Sequence, residues 1–259
     1  APLVREPAMS DQSILPQAAP SDPSAYTMAT LCRLMLERNR TTIRVQKTAF
    51  ALPKLERIVT AALDLSNSRG FQATSLRDLS AASGVSMGGM YAYFDGKTTL
   101  LQMILAEVTA AVTAVLGQPP DQIAADPRAH LLWLIDSHLR LTETMLPWFV
   151  FAFMEAKGFP PAERRQAVDS EELTEGYLAE AIRRGIATGR FRPETSPLLP
   201  ALIKPLLQDW YVKRAKYRRR NVSIDSYIAT VQAMVLATCD AAPADGRAPG
   251  ARTAAAPSH

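Results

Sequence analysis

Cysteine is scarce in this sequence, and long uninterrupted apolar runs are absent. The only two cysteines, Cys32 and Cys239, lie far apart in a chain of 259 residues, and neither has a second thiol or a histidine beside it. This pattern argues against a disulfide framework and against a zinc site. No apolar run reaches the roughly 20 residues that a membrane-spanning helix requires, and residues 1–25 lack the basic and apolar regions of a signal peptide. We therefore expect a soluble cytoplasmic protein without a metal, a cofactor or a membrane partner.

Motifs of catalysis are also missing. The sequence has no Gly-rich phosphate loop, metal-ligand cluster or nucleophile motif. Only an isolated pair such as His138 and Glu155 could support an enzyme, and we expect no enzymatic activity. Lys and Arg number 29 against 25 Asp and Glu, a net charge of +4. This small excess permits an acidic partner such as nucleic acid but does not require one.

Helical periodicity dominates what is present. From Pro53 onward, apolar residues recur at the spacing of one helical face, and no segment alternates as a β-strand would. The predicted fold class is therefore all-α. We expect a flexible N-terminal extension with a basic arm over residues 1–50 and a helix-turn-helix DNA-binding domain over 51–98. A helical effector-binding and dimerisation domain should follow over 99–241, with a disordered tail over 242–259.

The segment between Tyr26 and Phe50 allows two interpretations. It contains a short candidate helix over residues 31–38. A solvated leader is one interpretation, and a minor-groove arm of the kind used by some helix-turn-helix proteins is the other. The basic residues of this arm are Arg38, Arg40, Arg44 and Lys47.

Local signals predict where the helices of the 51–98 region begin and end. The first should end at Gly70, because glycine adopts the left-handed conformation that closes a helix. Ser75 and Asp78 have the spacing of a capping box for the second helix. Ser86 is the predicted N-cap of the third helix, and Asp95 that of a long fourth helix. Two helices joined by a tight glycine turn, with the second short and capped, are typical of a helix-turn-helix.

The third helix opens with Met87, Gly88 and Gly89, although each glycine in a helix interior costs about 1 kcal/mol relative to alanine. In a first turn this cost is small, and a missing side chain lets the backbone approach phosphates or bases closely. Met87 is then the main protruding group, suited to contact with a thymine methyl. Tyr91 and Tyr93 could place hydroxyls on phosphates, although Tyr93 could equally pack in the core.

The run IVTAALDLSNSRGFQATSLRDLSAASGVSMGGMYAYFDGKTTLL, residues 58–101, closely resembles the N-terminal domain of TetR/AcrR-type transcriptional regulators. Its ordered elements are a helix ending in RGF, then TSLRDLSAASGVS, then G-x-x-Y-x-Y-F with a lysine three residues later. The resemblance implies a homodimer that binds a double-stranded DNA operator with pseudo-two-fold symmetry and releases it when a small molecule enters the C-terminal domain. The positions that it assigns to the DNA interface are Ser75, Arg77, Ser86, Met87, Gly88, Gly89, Tyr91, Tyr93 and Lys97.

Three positions depart from the family's pattern. Family members often carry a lysine or another polar residue in place of Met87, threonine or another side chain in place of Gly89, and a larger residue in place of Ala92. The affected contacts are those to bases, so the operator sequence stays open.

The C-terminal stretch AIRRGIATGRFRPETSP and the two long helices after it also resemble such regulators, whose last two helices usually form a dimeric four-helix bundle. The apolar positions that could supply this interface are Leu198, Leu199, Leu202, Leu206, Ile228, Val231, Met234 and Val235. Bulky groups of this half could line an effector pocket, although each is more often ordinary core. The candidates are Trp133, His138, Met145, Phe149, Phe153 and Trp210. His130 and His138 lie too far apart along a helix to share a metal ion.

Two functional hypotheses remain from the sequence. The leading one is a repressor that is released from a palindromic operator by a small hydrophobic ligand. The alternative is a DNA-binding architectural or protein-docking factor of the same fold without a small-molecule effector. A pocket would distinguish them, because a bundle that docks another protein should be filled.

Overall fold

The structure of the chain is a computed structural model that describes residues 19–45 and 48–241, apart from the side chain of Thr48. Residues 1–18, Lys47 of the basic arm and the predicted tail over 242–259 lie outside this description. The described residues form twelve α-helices and two short 3-10 helices. Their only β-structure is an isolated bridge between Phe191 and Asp240, so the all-α prediction is confirmed.

The α-helices are, in chain order, α1 Met28–Arg38, α2 Thr48–Arg69, α3 Leu76–Ser83, α4 Met87–Met90, α5 Lys97–Leu116, α6 Asp121–Ala125, α7 Pro127–Thr144, α8 Leu146–Met154, α9 Pro161–Ala187, α10 Leu199–Val212, α11 Arg214–Arg219 and α12 Ile224–Cys239.

Helices α2 to α5 follow the local signals closely. α2 ends before Gly70, whose φ of +85° is the left-handed conformation expected of a closing glycine. The predicted cap of α5 is wrong by one residue. Gly96 is the N-cap, and Asp95 instead accepts a hydrogen bond from the Thr99 hydroxyl.

The described segment before α2 is packed, not flexible. α1 contacts α2 and α5, and its buried residues include Leu31 and Met35. Arg38 at the end of α1 donates hydrogen bonds of 2.8 and 3.3 Å to the two carboxylate oxygens of Glu107 on α5. Glu107 is 1% exposed, and burial raises the pKa of its carboxyl. The predicted flexible extension over residues 1–50 is therefore wrong for α1, because tertiary partners that the local sequence does not reveal cover its apolar face.

The long connector α5 lies at the centre of the protein, where it contacts α1, α7, α8 and α9. Among the described residues it is the one helix long and apolar enough to cross a membrane by length and composition. Of its most apolar stretch, 67% is buried inside the protein, as expected for a core helix of a water-soluble domain.

The second half of the chain packs as a helical bundle of α7, α9, α10 and α12. Asp126 caps α7 by accepting a hydrogen bond from the Arg128 N–H, and Pro147 lies in the first turn of α8, where a proline is well tolerated. Pro205 lies inside α10. Lys213 separates α10 from α11.

Candidate DNA-binding surface and effector pocket

Helices α3 and α4 form a helix-turn-helix that is fixed by side-chain caps. The Ser75 hydroxyl accepts a hydrogen bond from the Asp78 N–H at 3.2 Å, and the Asp78 carboxylate accepts one from the Ser75 N–H at 2.8 Å. Gly84 turns the chain with a φ of +64°. Ser86 then caps α4 by accepting a hydrogen bond from the Gly89 N–H at 3.2 Å. A four-residue helix is unstable alone, so these caps and its packing position α4.

The inner side of α4 is anchored by apolar contacts. Val85 before the cap and Met90 at the end of α4 are both buried, which is the arrangement of a hydrophobic staple. The Ser80 hydroxyl of α3 donates to the Val85 carbonyl at 2.7 Å. The remaining surface of α4 faces solvent.

The solvent-facing parts of α3 and α4 and the residues beside them carry most of the positions predicted to contact DNA. Arg77, Ser86 and Gly88 are exposed, and Met87 is half-buried. Tyr91, at the end of α4, is 47% exposed. A guanidinium, hydroxyls and open backbone are the groups that usually contact phosphates.

The two adjacent glycines of α4 differ in their surroundings. A Cβ on Gly88 would meet no heavy atom within 4 Å, whereas a Cβ on Gly89 would lie 3.0 Å from Val85 Cγ1 and 3.2 Å from Ser86 Oγ. Gly89 is therefore required by the packing of the staple and the cap. No described neighbour imposes the same requirement on Gly88, so its bare backbone is open to a partner outside the chain.

A cavity of about 410 Å³ lies in the C-terminal half, lined by residues of α5, α8, α9 and α10. Its volume is within the range of small-molecule sites. Its lining is largely apolar and includes Leu105, Val108, Val112, Phe149 and Phe153. A hydrophobic molecule of moderate size fits such a cavity.

Lys204 is the most deeply buried charged group of this lining, with 6% of its surface exposed. Its Nζ lies 3.4 Å from His138 Nε2. Burial lowers the pKa of Lys204 to about 8. Burial, followed by the charge of Lys204, holds the pKa of His138 well below its usual value, so the imidazole is neutral near pH 7.

Residues 58–104 match a family model described as bacterial regulatory proteins, tetR family. This span contains α3, α4, their caps and both glycines. This region of the chain is therefore of the TetR type. No curated protein sequence matches the chain.

Three solved structures share the fold of this chain. The MbdR regulator from Azoarcus sp. CIB is 21% identical, with a TM-score of 0.58 over 71% of this chain and 98% of its own. The TetR family transcriptional regulator PfmR from Thermus thermophilus is 24% identical, with a TM-score of 0.57 over 70% and 97%. The fatty acid degradation regulator FadR from Bacillus halodurans is 18% identical, with a TM-score of 0.54 over 71% and 95%.

Two of the residues predicted to contact DNA form their hydrogen bonds within the protein. Tyr93 is 1% exposed, and its hydroxyl donates to the Ala51 carbonyl at 3.0 Å. The Lys97 ammonium donates to the carbonyls of Phe71, Gln72 and Thr74 at 2.9, 3.1 and 3.1 Å. Tyr93 is thus a core residue and Lys97 a clamp on the turn between α2 and α3, which corrects their predicted role as phosphate contacts.

Ser75 is exposed, but its hydroxyl proton already takes part in a hydrogen bond. The Ser75 hydroxyl donates to the Asp78 carboxylate at 2.6 Å, and this carboxylate also pairs with Arg69 at 3.2 Å. Its bonds to Ser75 lower the pKa of the Asp78 carboxyl, so an anion lies at this end of α3. In this arrangement the Ser75 hydroxyl has no free proton to donate to a phosphate.

Arg44 is a candidate DNA contact that the sequence could not place. Its backbone N–H donates to the Ala92 carbonyl at 2.8 Å, which holds it one residue from Tyr91. Its side chain is exposed. The only sequence signal was the basic composition of the arm, and only the fold brings that arm to the end of α4.

The cavity includes only part of the predicted pocket set. Phe149 and Phe153 line it, and His138 lies behind Lys204. Trp133, Met145 and Trp210 are not among the lining residues. The sequence prediction missed the α5 residues and Lys204. Neither an apolar helix face nor a single lysine shows from sequence whether it lies against a cavity or against packed side chains.

Trp210 belongs to an aromatic cluster instead. Its ring centroid lies 5.3 Å from that of Tyr217 and 4.9 Å from that of Tyr227, and its indole N–H donates to Glu143 at 2.9 Å. The predicted pocket role of Trp210 is therefore wrong, since its faces and its polar atom are already in contact with the protein. Within the described residues, no group of His, Cys, Asp and Glu is arranged to hold a metal ion.

Some of the positions predicted for the dimer interface are buried in the protomer core, and others lie on its surface. Leu199, Ile228, Val231 and Val235 are buried within the protomer, whereas Leu206 is partly buried. Three of the positions remain largely exposed: Leu198 at 64%, Leu202 at 61% and Met234 at 52%.

Proposed function

We propose that this TetR-family regulator is a repressor that binds a palindromic operator as a homodimer and is released by a small hydrophobic ligand. The observation that carries the proposal is a direct connection between the cavity and the helix-turn-helix. Phe153 lines the cavity near the end of α8, and two residues later Glu155 Oε2 accepts a hydrogen bond of 2.9 Å from the Phe71 N–H. Phe71 lies in the turn that leads into α3.

Apolar packing strengthens this connection. The Phe71 and Phe151 rings meet edge to face, with centroids 5.4 Å apart, and α8 packs along α2. The Gln72 side chain donates to the carbonyl of Gly158, just beyond α8. A ligand that displaces α8 therefore also moves the turn that orients α3 and α4. This coupling supports release from DNA on ligand binding.

The homodimer is supported by the exposed apolar side chains of α10 and α12. Leu198, Leu202 and Met234 are more than half exposed, and a second copy of the chain would remove this apolar surface from water. A symmetric pair also doubles the DNA contact, since one helix-turn-helix reads too few base pairs for a specific site.

The alternative, an architectural or protein-docking factor without an effector, is less well supported. A bundle that docks another protein has no need for an internal cavity of about 410 Å³. The absence of a recognisable catalytic motif also favours a non-enzymatic regulator that acts in the cytoplasm, where its DNA lies.

A combined footprinting and light-scattering experiment tests the proposal. DNA from immediately upstream of the gene should show one protected site with two-fold symmetry, and the free protein should have the mass of a dimer. Leu202→Glu should give a monomer and abolish the footprint, whereas the matched change Ala179→Glu, on the exposed surface of α9, should leave both unchanged. A monomeric wild-type protein or an unsymmetrical footprint would contradict the proposal.

A further inference from the structure

We infer that the effector is an amphipathic anion, a hydrophobic molecule whose single acidic group pairs with Lys204. The inference rests on the proposed function, in which the cavity between α5, α8, α9 and α10 is the effector site. It adds the chemical class of the ligand.

The first observation is that Lys204 lines the cavity and has no close counter-ion in the part of the chain that the structure describes. It is 6% exposed, and no salt bridge among the described residues includes it. The only hydrogen-bond partner of its ammonium in the same residues is His138 Nε2, at 3.4 Å. Because His138 is neutral near pH 7, it does not balance the charge of the lysine.

The second observation concerns the acidic groups that face Lys204. Glu171 also lines the cavity, but its Oε1 accepts a hydrogen bond of 2.7 Å from Gln208. Glu171 and Glu175, both on α9, act on Lys204 only through space and favour its charged form. Burial outweighs them, since the pKa of Lys204 is lowered to about 8. The lysine is therefore mostly charged near pH 7 but poorly compensated.

A buried charge without a partner is costly, and a ligand that supplies the opposite charge removes this cost. The apolar lining around Lys204 accommodates a hydrocarbon or aromatic body, and one ammonium matches one acidic group. A neutral ligand of the same shape would leave the lysine unpaired, and a cationic ligand would be repelled.

Paired probes that differ only in charge test this inference. We suggest calorimetric titration of the full chain at pH 7 with decanoate against decanol, and with 4-phenylbutyrate against 4-phenylbutanol. The acid of at least one pair should bind about tenfold or more tightly than its alcohol. In Lys204→Met this preference should fall to within about threefold, because the alcohol keeps its apolar contacts while the acid loses its partner.

Lys157→Met is the matched control. Lys157 also lines the cavity but is exposed, so its replacement should leave most of the preference for the acid. The wild-type comparison needs no variant and decides the question even if Lys204→Met fails to fold. Equal binding of acid and alcohol, tighter binding of decylamine, a preference that survives Lys204→Met, or no binding of any probe would overturn the inference.

The same probes separate this inference from the proposed function. If the acids bind through Lys204 but do not release the upstream DNA, the ligand class stands and the proposed release mechanism fails. If the protein does not bind that DNA at all, the calorimetric result is unaffected.

Discussion

Single replacements of Gly88 and Gly89 by alanine should have opposite consequences, although the two glycines are adjacent in α4. In Gly88→Ala the new Cβ meets nothing within 4 Å, and the change to alanine gains up to about 1 kcal/mol of helix propensity. In Gly89→Ala the new Cβ lies 3.0 Å from Val85 Cγ1 and 3.2 Å from Ser86 Oγ. Such overpacking typically costs about 1–3 kcal/mol.

The expected change in the free energy of unfolding is the gain in helix propensity minus the cost of overpacking. Gly88→Ala should leave the free energy of unfolding unchanged or raise it by up to about 1 kcal/mol. Gly89→Ala should lower it by up to about 2 kcal/mol, because Val85 is buried and has little room to shift. Urea denaturation of the two variants, followed by circular dichroism, measures both changes.

Gly88→Ala, the variant that keeps its stability, should nevertheless lose DNA affinity. Gly88→Ala should weaken binding to the upstream DNA by about tenfold, because a methyl group at a point of close approach separates the backbone from its phosphate or base. The assay is fluorescence anisotropy with labelled DNA at a temperature where both variants are folded. The reasoning is refuted if Gly88→Ala binds as tightly as the wild type, or if Gly89→Ala is as stable as Gly88→Ala.

Three further predictions concern the arm, the connection to α8 and the buried lysine. Arg44→Ala should weaken binding to the upstream and scrambled DNA alike and reduce the salt slope of log affinity by about 1, as for a lost phosphate contact. Glu155→Ala should lower the free energy of unfolding by about 1–2 kcal/mol and speed hydrogen exchange at Phe71, because that N–H loses a charged acceptor. Lys204→Met should be more stable than the wild type near pH 7 by up to about 3 kcal/mol. Because folding lowers the pKa of Lys204 from 10.5 to about 8, the unfolded chain binds more protons between these values, so the wild type gains stability there and the difference should vanish by about pH 10.5.

Each of these predictions has a matched control on an exposed part of the chain. Arg165→Ala on α9 should not change the salt slope, Glu172→Ala on α9 should not change exchange at Phe71, and Lys157→Met should not change the pH dependence of stability. Urea midpoints at several pH values and salt titrations of DNA binding supply the readouts. A control variant that behaves like its test variant would contradict the corresponding explanation.

Local signals in the sequence predicted the helix ends well. The capping box of Ser75 and Asp78, the Ser86 cap and the closing Gly70 all occur in the structure as predicted. Each depends on residues within one turn of the chain, so its physical cause is visible in a short stretch of sequence.

Features that depend on distant contacts could not be predicted from the same patterns. α1 packs against α2 and α5, and its Arg38 bonds to Glu107, a residue 69 positions away. Lys97 donates hydrogen bonds to the carbonyls of the α2–α3 turn, and Lys204 faces a cavity that exists only between four helices. The sequence shows only that a residue is a lysine. The tertiary contacts decide whether that lysine binds a turn, contacts a partner or lines a pocket.

The most direct test of the central claim is an anisotropy titration of the protein against labelled DNA from immediately upstream of its gene and against scrambled DNA of equal length. The two DNAs are compared at two salt concentrations for the wild type, Tyr91→Phe and the control Tyr177→Phe, which removes a hydroxyl from a partly exposed tyrosine of α9. We predict tight binding to the upstream DNA alone, weakened by salt and by Tyr91→Phe but not by Tyr177→Phe. Equal and weak binding to both DNAs, or no binding to either, would contradict the assignment of this protein as a sequence-specific regulator.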